Sequence, residues 1–258
     1  MSSNGLLTNK VYGIYEERLE KEVSDGPIPK HIAIIMDGNR RYAREQGLDT
    51  KDGHRAGKEK IKDVLDWCMK MGVKTLTVYA FSTENFNREQ EEVDFLMDLI
   101  GNSLRELADD PRVLENRVRL RAIGERDIIP EDMLEAIEYA ERKTADFDKF
   151  NFNMAIAYGG RQEIVNAVKD VSARVKSGEL DIADIDEDTI SECMYTFDVS
   201  DPELVLRTSG EYRLSNFLLW QLAYSELYFT DVYWPSFRYI DFLRAIRSYQ
   251  QRARRFGT

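Results

Sequence analysis

The sequence predicts a single α/β domain whose central sheet is mainly parallel and flanked by helices. Two observations lead to this fold class. Short runs rich in apolar and β-branched residues alternate along the chain with longer segments of helical period. Several of these runs are apolar almost throughout, as strands covered by helices on both faces are. The 258 residues suffice for one large domain of this kind, and no internal repeat or low-complexity linker divides the chain.

The elements follow one another in a regular order. Residues 1–28 are expected to form a helical appendage, because Val11, Ile14 or Tyr15, Leu19 and Val23 make a short apolar stripe that "DGPIP" ends. That stripe favours a docking helix over a membrane anchor. The main domain is then expected over residues 29–258. Its predicted strands are "HIAIIMD", "TLTVYAFS", "VRLRAIG", "FNMAIAY", "LVLRTSG" and "ELYFTDVYW", and its predicted helices are residues 55–71, 91–107, 130–147, 161–177, 187–196 and 238–254.

Composition limits the classes of function. The formal net charge of -11 argues against nonspecific binding to nucleic acid, so any anionic ligand must meet a local cationic cluster. The two cysteines, Cys68 and Cys193, lie far apart without metal-binding spacing, which fits a reduced, intracellular setting. The sequence contains neither a run of eighteen apolar residues nor a signal-peptide core at its start. We therefore expect a cytoplasmic protein.

Polar side chains follow three of the predicted strands at the point where each strand ends. The first strand runs into "MDGNRR", the second into "FSTENFNR" and the fifth into "RTSGEYRLSNF". In an open parallel sheet, ligands bind outside the carboxyl ends of the strands. Asp37, Asn85 and Arg207 are therefore expected at one edge of the sheet. The alternative for any single ending is an ordinary solvated turn, because Asp-Gly-Asn is common turn chemistry.

The residue types at this edge favour a phosphate site. Gly38 lets the backbone approach a ligand closely, and amides at a helix N-terminus bind phosphate. A carboxylate such as Asp37 beside phosphates indicates Mg²⁺, for which Glu226 is a possible second ligand. Guanidinium groups match phosphate oxygens, and five are candidates: Arg40, Arg41, Arg88, Arg207 and Arg213.

Each candidate also has a purely structural interpretation. An arginine can be a surface ion pair, Asn85 can cap the helix that starts near Glu91, and His54 can be a satisfied structural histidine. The segment 91–107 presents an apolar stripe that is ordinarily core. The same stripe, together with nearby aromatic residues, can instead line a pocket that opens onto the phosphate site. A substrate with a diphosphate head and an apolar tail fits both halves.

Five long motifs carry a resemblance to a known family. "HIAIIMDGNRRYA", "GHRAG", "VYAFSTENFNR", "IAYGGRQEIV" and "LVLRTSGEYRLSNFLLWQLAYSELYFTDVYWP" resemble the cis-prenyltransferases, which include undecaprenyl diphosphate synthase. The resemblance runs from about residue 28 to "RRFG" at the C-terminus. It implies a magnesium-dependent enzyme that condenses isopentenyl diphosphate onto an allylic prenyl diphosphate, creating a cis double bond at each step. It also implies a hydrophobic tunnel, a homodimer and a long-chain polyprenyl diphosphate as lipid-carrier precursor.

The resemblance also implies roles for individual residues. Asp37 would hold Mg²⁺ on the allylic diphosphate, His54 would assist departure of the diphosphate, and Glu226 would be a second metal ligand. Asn85 would help to remove the C2 proton, and because an amide is a poor base we expect it to position a diphosphate or a water that accepts that proton. Gly38, Asn39, Arg40 and Arg41 would cradle the allylic diphosphate; Ser82, Thr83, Glu84, Phe86 and Arg88 would surround Asn85; and Arg207, Arg213 and Ser215 would hold isopentenyl diphosphate. Three further residues would belong to the substrate-binding set: Tyr42, Tyr212 and Leu214.

Some positions depart from the usual bacterial pattern. Tyr42 and Phe86 replace frequent tryptophans, Ser209 replaces a glycine, and Tyr212 stands where a histidine is common. Thr50 stands where an arginine is often found, which leaves part of primer binding to other residues.

Three rival functions are weighed against this resemblance. A phosphatase of the haloacid dehalogenase type needs a second acid two residues after the first, where this chain has Asn39. A noncatalytic prenyl-diphosphate-binding subunit would share the fold without turnover. The trans-prenyltransferases are all-helical, which the alternating strands exclude. Because the product is apolar, we also expect peripheral contact with a membrane for its release.

Overall fold

A computed structural model describes the backbone of residues 3–253 and the side chains of residues 13–252. Six parallel strands form one sheet in the order β3-β4-β2-β1-β5-β6. The single-domain α/β fold with a parallel sheet is confirmed, and so are all six strands. They are β1 His31–Ile35, β2 Thr75–Ser82, β3 Val118–Ile123, β4 Phe150–Tyr158, β5 Leu204–Arg207 and β6 Glu226–Phe229.

Helices connect the strands. The described part of the chain forms α1 Ser3–Ser24, α2 Asn39–Gln46, α3 Thr50–Met71, α4 Gln90–Asp109, α5 Pro111–Glu115, α6 Glu131–Thr144, α7 Gly160–Ser177, α8 Glu187–Ser191 and α9 Tyr239–Ala253. A 3₁₀ turn, Thr83–Asn87, lies between β2 and α4. Two short helices, α2 and α5, were not predicted. In α2 only Ala43 is buried, so the segment has no apolar stripe that a sequence pattern could reveal.

The helix expected over residues 187–196 is shorter than predicted. It ends at Ser191 and continues as turns, although its start is well capped. The Asp186 side chain accepts a hydrogen bond from the backbone nitrogen of Thr189 at 2.8 Å. A cap therefore starts this helix, but the residues that follow do not continue it.

The sheet separates two apolar cores. In β1, Ile32 and Ile34 belong to the larger core, whereas Ala33 and Ile35 belong to the smaller one on the other face. This division follows the two-residue alternation of a strand. All five residues of β1 are buried, which explains why its sequence is apolar throughout after His31.

Helix α1 docks on the main domain. Leu19 and Val23 are buried in the larger core, and the side-chain amide of Gln250 in α9 donates to the carbonyl oxygen of Val23 at 2.7 Å. Ile14 and Tyr15 are exposed, and Val11 lies outside the residues whose side chains are described. None of the described helices is both long and apolar enough to cross a membrane.

Candidate active site

Three neighbouring strands deliver the predicted polar residues to one edge of the sheet. In the strand order, β2, β1 and β5 are adjacent, and their carboxyl ends lead to Asn85, Asp37 and Arg207. Two adjoining cavities open here. The inner cavity is about 350 Å³ and the outer one about 710 Å³. Both are lined by Met36, Asp37, Asn39, His54 and Arg88.

Asp37 lies between two guanidinium groups. Its Oδ2 accepts from Arg207 at 2.8 Å, and its Oδ1 accepts from Arg41 at 3.2 Å. The Asp37 backbone is fixed by Thr208, whose hydroxyl accepts from the Asp37 amide at 2.9 Å. Arg207 is almost fully buried, and its Nε has no partner among the described residues. The carboxylate is thus held by two cations at the junction of the cavities.

The first turn of α2 offers free backbone amides to the outer cavity. Gly38 precedes this turn with a φ of 110°, a conformation that side chains disfavour, and no side chain caps the helix. A Cβ at Gly38 would lie 2.9 Å from the ring of Tyr233. The amides of Asn39, Arg40 and Arg41 are therefore left for an anionic ligand, in agreement with the sequence prediction of a phosphate site.

His54 is a buried side chain of the cavity wall, and a carboxylate orients it. Its Nε2 lies 3.1 Å from Oε1 of Glu92, and Arg88 donates to the same oxygen at 2.9 Å. Burial lowers the pKa of His54 below its usual value, although the hydrogen bond that His54 donates to Glu92 opposes this shift. Burial raises the pKa of Glu92, but the charge of Arg88 and the contact with His54 outweigh it, so the pKa of Glu92 is lowered. Because an ionised carboxylate only accepts, the hydrogen of the neutral imidazole lies on Nε2.

Asn85 does not cap the helix that follows it. The residue before α4 is Glu89, whereas the Asn85 side-chain oxygen accepts from the backbone amide of Ser82 at 3.1 Å. This contact leaves the NH₂ group of Asn85 without an acceptor in the described part of the chain. Asn85 and Ser82 both line the inner cavity. Asn85 thus completes the capping box of the 3₁₀ turn Thr83–Asn87, and its NH₂ group remains a hydrogen-bond donor for a ligand.

A loop after β5 brings Arg213 and Ser215 to the inner cavity. Arg207 donates to the hydroxyl of Ser215 at 2.7 Å, and the hydroxyl of Tyr79 donates to the Ser215 carbonyl at 3.3 Å. Ser215 and Asn216 have φ values of 49° and 63°, an uncommon conformation outside glycine. Backbone strain of this kind concentrates at functional sites, and here it turns the Ser215 side chain toward Arg207.

The apolar stripe of α4 serves both of its predicted purposes. Leu96, Leu99 and Ile100 line the inner cavity, together with Ile61 of α3 and Met154 of β4. Other members of the stripe, which are Val93, Met97, Leu104 and Leu107, are buried in the larger core. The inner cavity is consequently polar toward Asp37 and apolar between α3, α4 and the sheet.

The structure brings most of the predicted residues together, but not all of them. The walls of the two cavities include Asp37, Gly38, Asn39, Arg40, Arg41, His54, Ser82, Asn85, Arg88, Arg207, Arg213 and Ser215. Seven other predicted residues contribute to neither wall: Tyr42, Thr83, Glu84, Phe86, Tyr212, Leu214 and Glu226. Phe86 packs on Phe81 at a ring distance of 4.9 Å, and Tyr212 is 77% exposed.

Glu226 lies away from Asp37 within the chain, contrary to its predicted place. It begins β6 in register with Leu204, three residues before Arg207 reaches the carboxyl edge of the sheet. At about 3.3 Å per residue, that separation is roughly 10 Å along the strands. Glu226 pairs with Arg252 at 3.3 Å instead. The sequence placed Glu226 near the site because it follows the arginine loop, but that loop returns the chain to the opposite end of the sheet.

The donor set fits Mg²⁺ that is held mainly by substrate. Among the described residues, no group of three or more His, Cys, Asp or Glu side chains is placed to bind a metal ion. Asp37 offers one carboxylate beside the cationic cavity. Mg²⁺ is commonly bound by one or two carboxylates together with substrate phosphates and water. A single aspartate is sufficient for that mode of binding, and a complete protein cage is absent from the described part of the chain.

Two residues at the site were missed by sequence reasoning. Glu92, in the first turn of α4, pairs with Arg88, which lies four positions earlier and before the helix begins. Arg44 lines the outer cavity from α2. Arg44 follows Arg40 by four residues and Arg41 by three. This spacing could have placed the three side chains together, but only if helix α2 had been predicted.

Comparison with known proteins adds independent findings. The family model described as a putative undecaprenyl diphosphate synthase matches residues 35–257. A relative from Methanopyrus kandleri is 53% identical, covering 96% of this chain and 91% of its own length. Another from Thermoplasma acidophilum is 50% identical over the whole of both chains. Both are named tritrans,polycis-undecaprenyl-diphosphate synthase (geranylgeranyl-diphosphate specific).

Solved structures show the same similarity. Lavandulyl diphosphate synthase from Lavandula x intermedia, in complex with dimethylallyl diphosphate, superposes with a TM-score of 0.81 at 38% identity, covering 89% of this chain and 96% of that one. A probable undecaprenyl diphosphate synthase from Campylobacter jejuni gives a TM-score of 0.73 at 34% identity, covering 90% of this chain and all of that one.

Proposed function

This chain belongs to the undecaprenyl diphosphate synthase family of cis-prenyltransferases, and we propose that it extends geranylgeranyl diphosphate with isopentenyl diphosphate in a magnesium-dependent reaction. The names of the two archaeal relatives support both this primer and a product of undecaprenyl length. The sequence predicted only a long-chain product, and an undecaprenyl product is a more specific expectation. Use of the product as a lipid-carrier precursor, a homodimer and peripheral membrane contact stay predictions.

One observation carries the proposal: Asp37 stands where a cationic cavity meets a partly apolar one. The outer cavity contains Arg40, Arg41 and the first-turn amides of α2, which suit a diphosphate. The inner cavity combines Arg207 and Arg213 with the apolar wall of α3 and α4. An allylic diphosphate with its head in the outer cavity and its tail along α4 would lie beside a second diphosphate held by Arg207, Arg213 and Ser215.

The chain's own residues then have distinct tasks. In the condensation, the bond between C1 of the allylic substrate and its diphosphate oxygen breaks, and C1 bonds to C4 of isopentenyl diphosphate. Loss of a proton from C2 leaves the new double bond. Arg40, Arg41 and the α2 amides would stabilise the departing diphosphate, and His54 stands at the cavity wall beside it, oriented by Glu92. Asn85, whose NH₂ group points to no protein acceptor in the described part, would orient the diphosphate or water that takes the proton.

Asp37 is the residue that would hold Mg²⁺. When bound, the ion would neutralise negative charge on the leaving diphosphate. Both carboxylate oxygens are now engaged by Arg41 and Arg207, so an incoming cation has to compete with these two ion pairs. Because Glu226 lies at the other end of the strands, Asp37 is the carboxylate that we assign to this ion among the described residues.

The test is an elongation assay. Purified protein, labelled isopentenyl diphosphate and Mg²⁺ are incubated with dimethylallyl, geranyl, farnesyl or geranylgeranyl diphosphate, and products are resolved by length. We expect magnesium-dependent elongation with preference for geranylgeranyl diphosphate. Asp37→Ala should lower kcat/KM by about three orders of magnitude, comparable to the loss of one preorganised electrostatic group. Asp170→Ala, an exposed aspartate on α7, is the matched control and should retain activity.

The assay also distinguishes the parts of the proposal. Equal use of all primers would contradict geranylgeranyl specificity while leaving the reaction intact. Activity unchanged by chelation of divalent cations would contradict the magnesium dependence. Diphosphate binding without elongation from any primer would instead favour a noncatalytic prenyl-diphosphate-binding subunit.

A further inference from the structure

Arg44 is a cationic side chain in the wall of the outer cavity. It follows Arg40 by four residues and Arg41 by three, so it lies one turn farther along α2. One turn advances about 5.4 Å along the helix axis. Arg44 lines the outer cavity but not the inner one, whereas Asp37, Asn39 and His54 line both. Arg44 therefore lies on the side of the outer cavity that is remote from the apolar tail pocket.

Its charge is uncompensated, in contrast to those of its neighbours. Arg41 pairs with Asp37 and Glu211, at 3.2 and 2.9 Å. Arg40 and Arg88 both approach Glu92, at 3.9 and 2.9 Å. The Arg44 side chain makes neither an ion pair nor a hydrogen bond with any residue that the structure describes.

One further acid shares this cavity but is already engaged. The Asp49 carboxylate accepts a hydrogen bond from the backbone amide of Lys51 at 2.8 Å and caps the start of α3. The wall thus carries four arginines, Arg40, Arg41, Arg44 and Arg88, against Asp37 and Asp49. Like charges so close together repel one another, and an anion in the cavity relieves this repulsion.

The order of groups along the wall indicates which part of the anion meets Arg44. The allylic carbon must lie near the shared residues Asp37 and His54, because the second substrate is held in the inner cavity. The phosphate next to that carbon then falls near the first-turn amides of α2. The terminal phosphate extends outward, toward the next turn of the helix, where Arg44 stands.

We propose that Arg44 binds the terminal phosphate of the allylic substrate and makes the outer cavity select a diphosphate over a monophosphate. This inference rests on the proposed function, because it takes the substrate to be a prenyl diphosphate. Arg44 acts in substrate binding and takes no part in the chemical step. Its removal should therefore raise KM for the allylic primer and leave both kcat and KM for isopentenyl diphosphate within about twofold.

The test compares two ligands that differ by one phosphate. Binding of geranylgeranyl thiolodiphosphate, which resists ionisation, and of geranylgeranyl monophosphate is measured by calorimetry on wild type and Arg44→Gln. We expect Arg44→Gln to weaken thiolodiphosphate binding roughly tenfold, the scale of one charge-assisted hydrogen bond at a partly exposed site. Binding of the monophosphate should change by less than about twofold. Arg142→Gln, an exposed arginine on α6 outside both cavities, is the matched control and should alter neither affinity.

Several results would overturn the inference. Equal weakening of both ligands would show that Arg44 acts on the whole site or on the fold, and unchanged thiolodiphosphate affinity would show that it binds no terminal phosphate. A wild-type protein that binds neither ligand would remove both the proposed function and this role. A wild-type protein that binds the thiolodiphosphate through Arg44 but never elongates a primer would contradict only the proposed function.

Discussion

At the scale of single residues, the two histidines of the chain illustrate two uses of burial. His54 lines both cavities and is oriented by Glu92, so its lowered pKa keeps it neutral beside a site for anions. His31, at the start of β1, lies far from that edge and is fully buried. Its Nδ1 donates to the Ser200 carbonyl at 2.6 Å, and its Nε2 accepts from the Thr77 hydroxyl at 2.8 Å. Because both ring nitrogens are satisfied in the neutral form, His31 is a structural residue.

His31 predicts a specific acid sensitivity of the fold. Burial lowers its pKa from 6.5 to about 4, against the opposing hydrogen bond to Ser200. On acidification the unfolded chain takes up the proton first, so the stability from neutral His31 is complete above pH 6.5 and declines as the pH falls toward 4. The shift corresponds to a loss on the order of 3 kcal/mol over that window.

Replacing His31 with glutamine should remove this pH dependence. The variant is expected to be less stable than wild type at pH 7.5, with a free energy of unfolding that changes less between pH 7 and 4.5. Urea unfolding across that range measures the effect. An equally steep decline in both proteins would mean that other groups cause it.

At the scale of elements, two glycines let α2 and α3 approach each other. A Cβ at Gly53 would lie 2.3 Å from the carbonyl oxygen of Asn39, and one at Gly57 would lie 2.5 Å from the Asn39 side-chain oxygen. Asn39 begins α2 and borders both cavities. The glycines of "GHRAG" therefore determine where the first-turn amides of α2 lie.

Gly53→Ala should consequently damage both stability and primer binding. Overpacking against a backbone oxygen is expected to lower the free energy of unfolding by about 1–3 kcal/mol, and displacement of α2 should raise KM for the primer. Gly13→Ala is the matched control, because a Cβ there meets nothing within 4 Å. In the interior of α1 that change should add up to about 1 kcal/mol of stability. Thermal unfolding and steady-state kinetics of both variants are the measurements; normal primer KM in Gly53→Ala would contradict the positioning of α2 by this contact.

At the scale of the whole molecule, the inner cavity sits between α3, α4 and the sheet, so its apolar walls limit the room for a growing chain. Ser103 of α4 lines this cavity and is 5% exposed, and its hydroxyl donates to the carbonyl of Leu99 at 2.5 Å. The same local hydrogen bond occurs on α7, where the exposed Ser172 donates to Val168 at 2.7 Å. The two serines differ mainly in their surroundings.

Filling the cavity at Ser103 should shorten the product. Ser103→Phe places an aromatic ring in the space for the prenyl tail, so the distribution of products should move to shorter chains while the first condensation continues. Ser172→Phe should leave product lengths unchanged, since its ring would point to solvent. Chromatography of products at saturating isopentenyl diphosphate measures both. Wild-type product lengths from Ser103→Phe would show that this part of the cavity does not hold the tail.

The charge of the whole molecule is opposite in sign to the local charge of the two cavities. The chain has a formal net charge of -11, yet the two cavities gather Arg40, Arg41, Arg44, Arg88, Arg207 and Arg213. The acidic net charge and the proposed local site for small diphosphates are compatible for this reason.

The success of the sequence predictions differs between strands, short helices and loops. The six strands were predictable because each is a short run rich in apolar and β-branched residues, whether buried throughout as "HIAII" is in β1 or interrupted by charges as "VRLRAI" is in β3. Asp37, Asn85 and Arg207 were predictable as neighbours because parallel strands share a carboxyl edge. Helix α2 was not, since it buries only Ala43. With α2 missing, Arg44 had no predicted place. Glu226 was expected near Asp37, but in this chain it begins β6 at the other end of the strands, because the length of the returning loop does not reveal where that loop ends.

The sequence by itself determined the fold class, the order of the strands and the longer helices and the residue types at the carboxyl edge of the sheet, because these depend on local periodicity and composition. Only the tertiary structure decided which of those residues meet. It joined His54 to Glu92 across two helices, set Asp37 between Arg41 and Arg207, and separated Glu226 from them. The physical reason is that such contacts join residues up to 170 positions apart, and strand register and helix packing, which are properties of the folded chain, bring them together.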